Sequence, residues 1–258
     1  MLIATITALA ILFGGGTFET FFVDDLKKGV KEYVVEDQRK DEILDGLKRS
    51  KKMIKSFNKK RKTQFKEFKK LNSSRATGSD ELTGFFEKSM TTRGEYQHLL
   101  IDERLTVSAK ITPDEWAAII EHSGHATDKR MQKAQKKLDK AEARGKLPFD
   151  KTRETITEAV ADTDRQQLLQ GRLDAMLRSF EKLGSELSAV NVNESALLVD
   201  RDISRDQMLR VAEQMNEVRL AVFRHLVDFH MAVKENTDAA EWDKVMKQFN
   251  KDVSLSAH

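Results

Sequence analysis

Across 258 residues the chain has no cysteine, two prolines, two tryptophans and two tyrosines. Without cysteine there is no disulfide staple, no thiol nucleophile and no lipoprotein attachment, so stability has to come from packing. Proline ends helices more sharply than any other residue, and here it occurs only at Pro113 and Pro148, which leaves most of the chain free to form long helices. Aromatic residues make up 7% of the chain and charged residues 34%, a balance that suits charge-clad helices better than a thick-cored enzyme. The sequence also lacks a phosphate-binding glycine loop, a nucleophile elbow, an HExxH helix and a calcium-binding loop. The expectation is a protein that is not an enzyme and uses no cofactor.

The one long apolar run is Leu2–Val23, uncharged up to Phe13, interrupted by Gly14, Gly15 and Gly16, and carrying Glu19 as its single charge. As a helix it would be about 33 Å long, enough to cross a hydrocarbon layer of about 30 Å. No basic residue precedes it, as one would in a cleavable signal peptide, so the sequence predicts a single-pass anchor over residues 1–23. Lys27, Lys28, Lys31, Arg39 and Lys40 follow the run, which places the body on the cytoplasmic side of a cell membrane. A periplasmic body is the alternative topology.

Behind the anchor the pattern is helical throughout. From Val23 to Leu71 there is no proline, and Leu47, Ile54 and Phe68 alternate with Phe57 and Leu71 at heptad spacing, predicting one long helix leaving the membrane. A polar turn at 72–79 precedes a second helix running towards Lys110, antiparallel to the first. After Leu147-Pro148-Phe149-Asp150, a helix from about Lys151 to Val190 carries Ala159, Gln166, Leu173, Phe180 and Leu187 alternating with Leu169, Met176, Leu183 and Val190. Asn191–Glu194 is expected to end it. A helix from about Ser195 to Lys234 carries a matching seam through Met208, Val222 and Phe229 with Leu226 and Val233. Helices with facing seams and a short connector pack antiparallel.

Lys48 to Lys70 holds twelve Lys or Arg residues and one acid, Glu67. Such a run attracts an acidic protein, an anionic surface or, less readily, nucleic acid; otherwise it is the solvated side of a packed helix. Lys59, Lys60, Arg61 and Lys62 are its densest part and the candidate binding residues. A straight helix would carry Lys48 about 37 Å beyond Val23, so contact with lipid needs a bend, for which Gly46 is the candidate.

Thr112-Pro113-Asp114-Glu115-Trp116 combines an N-cap, a first-turn proline and an acid at the third helical position, the pattern of a capping box. Asp238-Ala239-Ala240-Glu241-Trp242 repeats it 126 residues later, and each tryptophan is preceded by nine residues by a valine, Val107 and Val233. This spacing points to an internal duplication, or at least two equivalent modules. Ile111–Glu115 resembles the Leu-Thr-x-x-Gln signature of small periplasmic helical proteins that act in envelope stress and metal sensing, departing from it at the first and last positions. The resemblance covers five residues.

Histidines are the remaining place to look for chemistry. His122 and His125 flank a turn near Glu121 and Asp128, too few ligands for a zinc site, while His225 and His230 are five residues apart and do not share a helix face well. The predicted whole is all-α: an anchor at 1–23, a first helical module at 24–125 and a second at 126–258, arranged as elongated, coiled-coil-like hairpins. The predicted role is a non-enzymatic, membrane-anchored scaffold that binds a protein partner or self-associates; the alternative is a periplasmic sensor or chaperone-like regulator.

Overall fold

A computed structural model describes the backbone of residues 26–122 and 149–256, and their side chains except at 183–199 and 255–256. The predicted anchor at 1–23, the 125/126 module boundary and the charged stretch 128–144 lie outside the described residues. In chain order the helices are α1 (Leu26–Tyr33), α2 (Asp37–Ser73), α3 (Ser79–Ser108), α4 (residues 113–122), α5 (Asp150–Ala159), α6 (Thr163–Val199), α7 (Arg205–Glu235) and α8 (Ala239–Ser256). Among the described residues there is no strand, and no helix is long and apolar enough to cross a membrane.

Two predicted long helices are each broken near their start. The helix expected to run on from Val23 is interrupted at 34–36, and the one expected from Lys151 is interrupted at 160–162. Neither break has a glycine or proline. Val34 and Val160 instead turn fully inward, each closing the preceding helix through a backbone bond to Val30 and Ile156, both 3.1 Å. Asn191–Glu194 does not end α6, which continues to Val199. Asparagine costs a helix only about 0.7 kcal/mol relative to alanine, too little to stop one without glycine or proline beside it. The next helix therefore starts later than expected, at Arg205, behind a capping box in which Ser204 and Gln207 bond each other's backbone.

The chain repeats itself at a constant spacing of 126 residues, without a shift in register between 26–122 and 152–248. Arg39 bridges the Glu115 carboxylate in two-pronged fashion at 2.6 and 2.7 Å and also donates to the Lys110 carbonyl. Its counterpart Arg165 grips Glu241 at 2.9 and 3.3 Å and donates to the Asn236 carbonyl. Both glutamates also complete a capping box, with Thr112 in one half and Asp238 in the other. Buried positions match as well: Val30 and Ile156, Ile43 and Leu169, Leu47 and Leu173, Arg93 and Arg219, Leu100 and Leu226, Trp116 and Trp242.

The two halves meet chiefly through α3 and α7, with α2 and α6 packed on their outer sides. The contacts are reciprocal, as in a two-fold dimer, where residue i of one subunit meets j of the other and j meets i. Arg75 donates to the Thr237 carbonyl at 2.6 Å, and Arg201 donates to the Ile111 carbonyl at 2.7 Å; each residue lies 126 positions from its counterpart. The seam differs at its two ends. At one end Phe86 stacks on Phe223, with ring centroids 4.0 Å apart, an arrangement worth about 0.5–1.5 kcal/mol beyond the area it buries. At the other end Asn216 donates to Gln97 at 2.8 Å.

A buried polar chain ties α2, α7 and α8 together. His230 Nδ1 lies 2.9 Å from Asn72 Oδ1, the Asn72 amide donates to Asn250, and the Asn250 amide donates to Ser73. Both ring nitrogens face acceptors, Asn72 Oδ1 at 2.9 Å and the Thr77 carbonyl at 3.4 Å, and the shorter contact favours the neutral tautomer with its proton on Nδ1. Burial pushes the imidazole down to about 4; the Thr77 carbonyl works in the opposite direction, and the Lys234 charge adds to the lowering. Between its ordinary value of 6.5 and 4, the unfolded chain accepts a proton that the folded chain refuses, so acidification favours unfolding. Going from about pH 7 to about pH 5 is expected to cost about 2 kcal/mol of stability, and His230→Gln to remove that loss. A second loss, common to both proteins, is expected below 4.5. There Glu115 and Glu241 are held acidic, Glu115 by its bonds from Arg39 and Glu241 by the Asp238 backbone and then Arg165. Urea unfolding across pH reads both phases.

Candidate functional site: a basic helix face

Helix α2 turns the basic run into a surface. At about 100° per residue, Lys48, Lys52, Lys55, Lys59, Lys62, Lys66 and Lys70 fall within an arc of about 80°, forming a stripe about 33 Å long. The packed residues Ile43, Leu47, Phe57 and Phe68 lie on the other side of the helix. All seven lysines are exposed. Of the residues proposed from sequence, Lys59 and Lys62 stand on the stripe and Lys60 is exposed to one side. Arg61 is half-buried and lines a recess beside Phe57 and Phe68. Four consecutive residues are spread around a helix, so this quartet does not form one surface; the i, i+3 and i+4 spacing identifies the set that does.

The stripe rides on a clamped helix. Phe57 stacks on Tyr96 at 4.1 Å with the rings 2° from parallel, and the Arg93 guanidinium lies 5.3 Å from the Phe57 ring. At Gly46, the expected bend, the α-helix is uninterrupted. A Cβ there would come within 2.6 Å of Val107 Cγ2, so glycine at this position lets α2 and α3 approach closely. Lys48 pairs with Asp45 at 3.8 Å, whereas Lys52, Lys55, Lys59, Lys62, Lys66 and Lys70 have no acidic partner among the described residues.

The second half supplies an internal control. The positions equivalent to the seven stripe lysines are Asp174, Arg178, Glu181, Ser185, Ser188, Val192 and Ala196. Over the whole equivalent stretch the twelve basic residues become two, Arg178 and Lys182, with acids at Asp174, Glu181, Glu186 and Glu194. Over equivalent stretches of the repeat the first helix is strongly basic, whereas the sequence of the second is mixed in sign. The fold does not require the lysines.

Nothing else described forms a chemical site. Among the described residues, no three His, Asp or Glu side chains are grouped to hold a metal ion. His122 sits against Tyr33 and Glu32, His225 lies near Asp228, and His230 belongs to the core; His125 is outside the described residues. The recess lined by Arg61, Phe65, Phe85, Ser89 and Arg93 has a volume of about 30 Å³, room for a water or two. Compared with known proteins, the chain matches no family model, no curated protein and no solved structure.

Six successive like-charge pairs at i, i+3 or i+4 spacing run along the stripe, each destabilising a helix by about 0.2–0.5 kcal/mol at low salt. Replacing Lys55, Lys59, Lys62 and Lys66 with Gln is therefore expected to raise stability by about 1–2 kcal/mol at low salt, a gain that shrinks as salt is added. Thermal unfolding at two ionic strengths measures it; a loss of stability would mean that the lysines serve the fold.

Proposed function

We propose that this chain is a non-enzymatic, membrane-tethered helical scaffold whose working surface is the basic side of α2. Leu2–Val23 supplies the tether, and the body lies on the cytoplasmic side, the side favoured by the lysines and arginine that follow the tether. The body is a duplicated module. Its second half keeps the framework, with the Arg–Glu grip, the capped tryptophan helix and the long hairpin, while the first half has in addition acquired a face for an acidic partner.

The observation that carries this reading is the seven-lysine stripe on one of two otherwise equivalent helices. A charged exterior that served only solubility would be mixed in sign, as it is on α6, and would not repel itself along six consecutive pairs. The Thr112–Glu115 capping box, on which the resemblance to periplasmic regulators rests, acts here as helix punctuation and as the anchor for Arg39.

Fractionation tests the tether. The chain is expected to stay with membranes through alkaline carbonate and to leave with detergent, and a reporter joined after His258 is expected to be active in the cytoplasm. Release by carbonate would overturn the tether, and a reporter active only outside would overturn its sidedness. Crosslinking in cells tests the working surface: adducts should form on α2 and disappear when Lys55, Lys59, Lys62 and Lys66 are changed to Gln. Adducts that persist unchanged in that variant would remove α2 from the role.

A further inference from the structure

From the shape and composition of the stripe, we infer that the acidic partner of α2 is the anionic lipid surface of the membrane that holds the tether. This inference deepens the proposed function and rests on its tether. The seven ammonium groups project from one side of an uninterrupted 37-residue helix, within an arc of about 80°, so together they can face one surface. A bilayer presents such a surface, with fluid headgroups that can gather beneath fixed charges.

The composition of the stripe separates this surface from nucleic acid and from a folded protein. Every member is lysine, a point charge on a flexible stem, and none is arginine, whose planar fork suits bidentate phosphate or carboxylate recognition. Nucleic-acid surfaces interleave aromatic rings for stacking. Here Phe57 and Phe68 are buried on the packing side of the helix and Phe65 is half-buried against the core, leaving no aromatic residue on the stripe. Protein hot spots are built around aromatic and arginine anchors, and the stripe contains neither.

The break at 34–36 makes the geometry workable. One continuous helix from Val23 would carry the lysines outward along the bilayer normal, beyond the reach of a surface potential that decays over about 8 Å. The interruption at 34–36, with Glu36 extended, means that α2 does not continue α1 as one helix; the two are packed into one core through Leu26, Val30, Val34, Ile43 and Leu47, so α2 is held at a set angle to the segment that leads to the tether. The body can then lie along the bilayer with α2 against it, each lysine strengthening attachment about fivefold.

The test uses the full chain in vesicles of phosphatidylcholine, with or without phosphatidylserine, and brief acetylation of exposed amines read residue by residue. Lys52, Lys55, Lys59, Lys62 and Lys66 are expected to react about fivefold more slowly on the serine-containing vesicles, with high salt abolishing the difference. Lys151, Lys244 and Lys247, exposed on α5 and α8, should react equally on both. Equal reaction of the stripe lysines on the two vesicle types would overturn the inference. So would protection that appears only when duplex nucleic acid or an acidic protein is added. Flotation of the chain with pure phosphatidylcholine vesicles reports on the tether separately: if the chain fails to float with them yet its stripe is protected by anionic vesicles, the tether falls and the lipid-binding face stands.

Discussion

The paired grip of Arg39 on Glu115 and of Arg165 on Glu241 is the contact from which the rest of the architecture follows. In each half it joins the first turn of a long helix to the first turn of a short one that arrives 76 residues later. The arginine also satisfies a backbone carbonyl where the preceding helix ends, so one guanidinium closes a charge pair and a helix terminus together. With both ends of the hairpin fixed, the tryptophan of the short helix is buried beside the long one, and Val34 or Val160 fills the corner. Bidentate pairs of this kind are directional, and direction is what a corner without glycine or proline needs.

Reuse of one module explains why two helices can be compared as if one were a variant of the other. The exposed side of α2 is free to differ from its counterpart, whereas the buried positions, where both helices are described, keep a common pattern, as at Ile43 and Leu169 or Leu47 and Leu173. Electrostatic self-repulsion then becomes informative. A row of like charges that weakens its own helix, present in one copy and missing in the other, is the feature on which the proposed working surface rests.

Much of this was legible in the sequence. The scarcity of proline and the heptad seams give the all-α hairpins, and the two Glu-Trp boxes with their 126-residue spacing mark the repeat. The breaks at 34–36 and 160–162 were not legible, because tertiary contacts made by Arg39 and Arg165 impose them against ordinary helical propensity. Asn191–Glu194 misled in the other direction, since a weak local preference loses to the continuity of a long helix. The reciprocal bonds of Arg75 and Arg201 join residues more than 80 positions apart and leave no local trace. In the basic run the density of charge drew attention to Lys59–Lys62, although the spacing of the lysines around the helix is what assembles a surface.

The central claim, that one of two equivalent helix faces is built for an anionic membrane, can be tested directly because the chain has no cysteine of its own. Single cysteines at Thr63→Cys, beside the stripe, and at Ala189→Cys, the matching position on α6, accept spin labels without removing a lysine. On vesicles containing anionic lipid, with a paramagnetic agent bound to the headgroups, the label at 63 should relax markedly faster than the label at 189. Equal relaxation at the two sites, or faster relaxation at 189, would contradict the account.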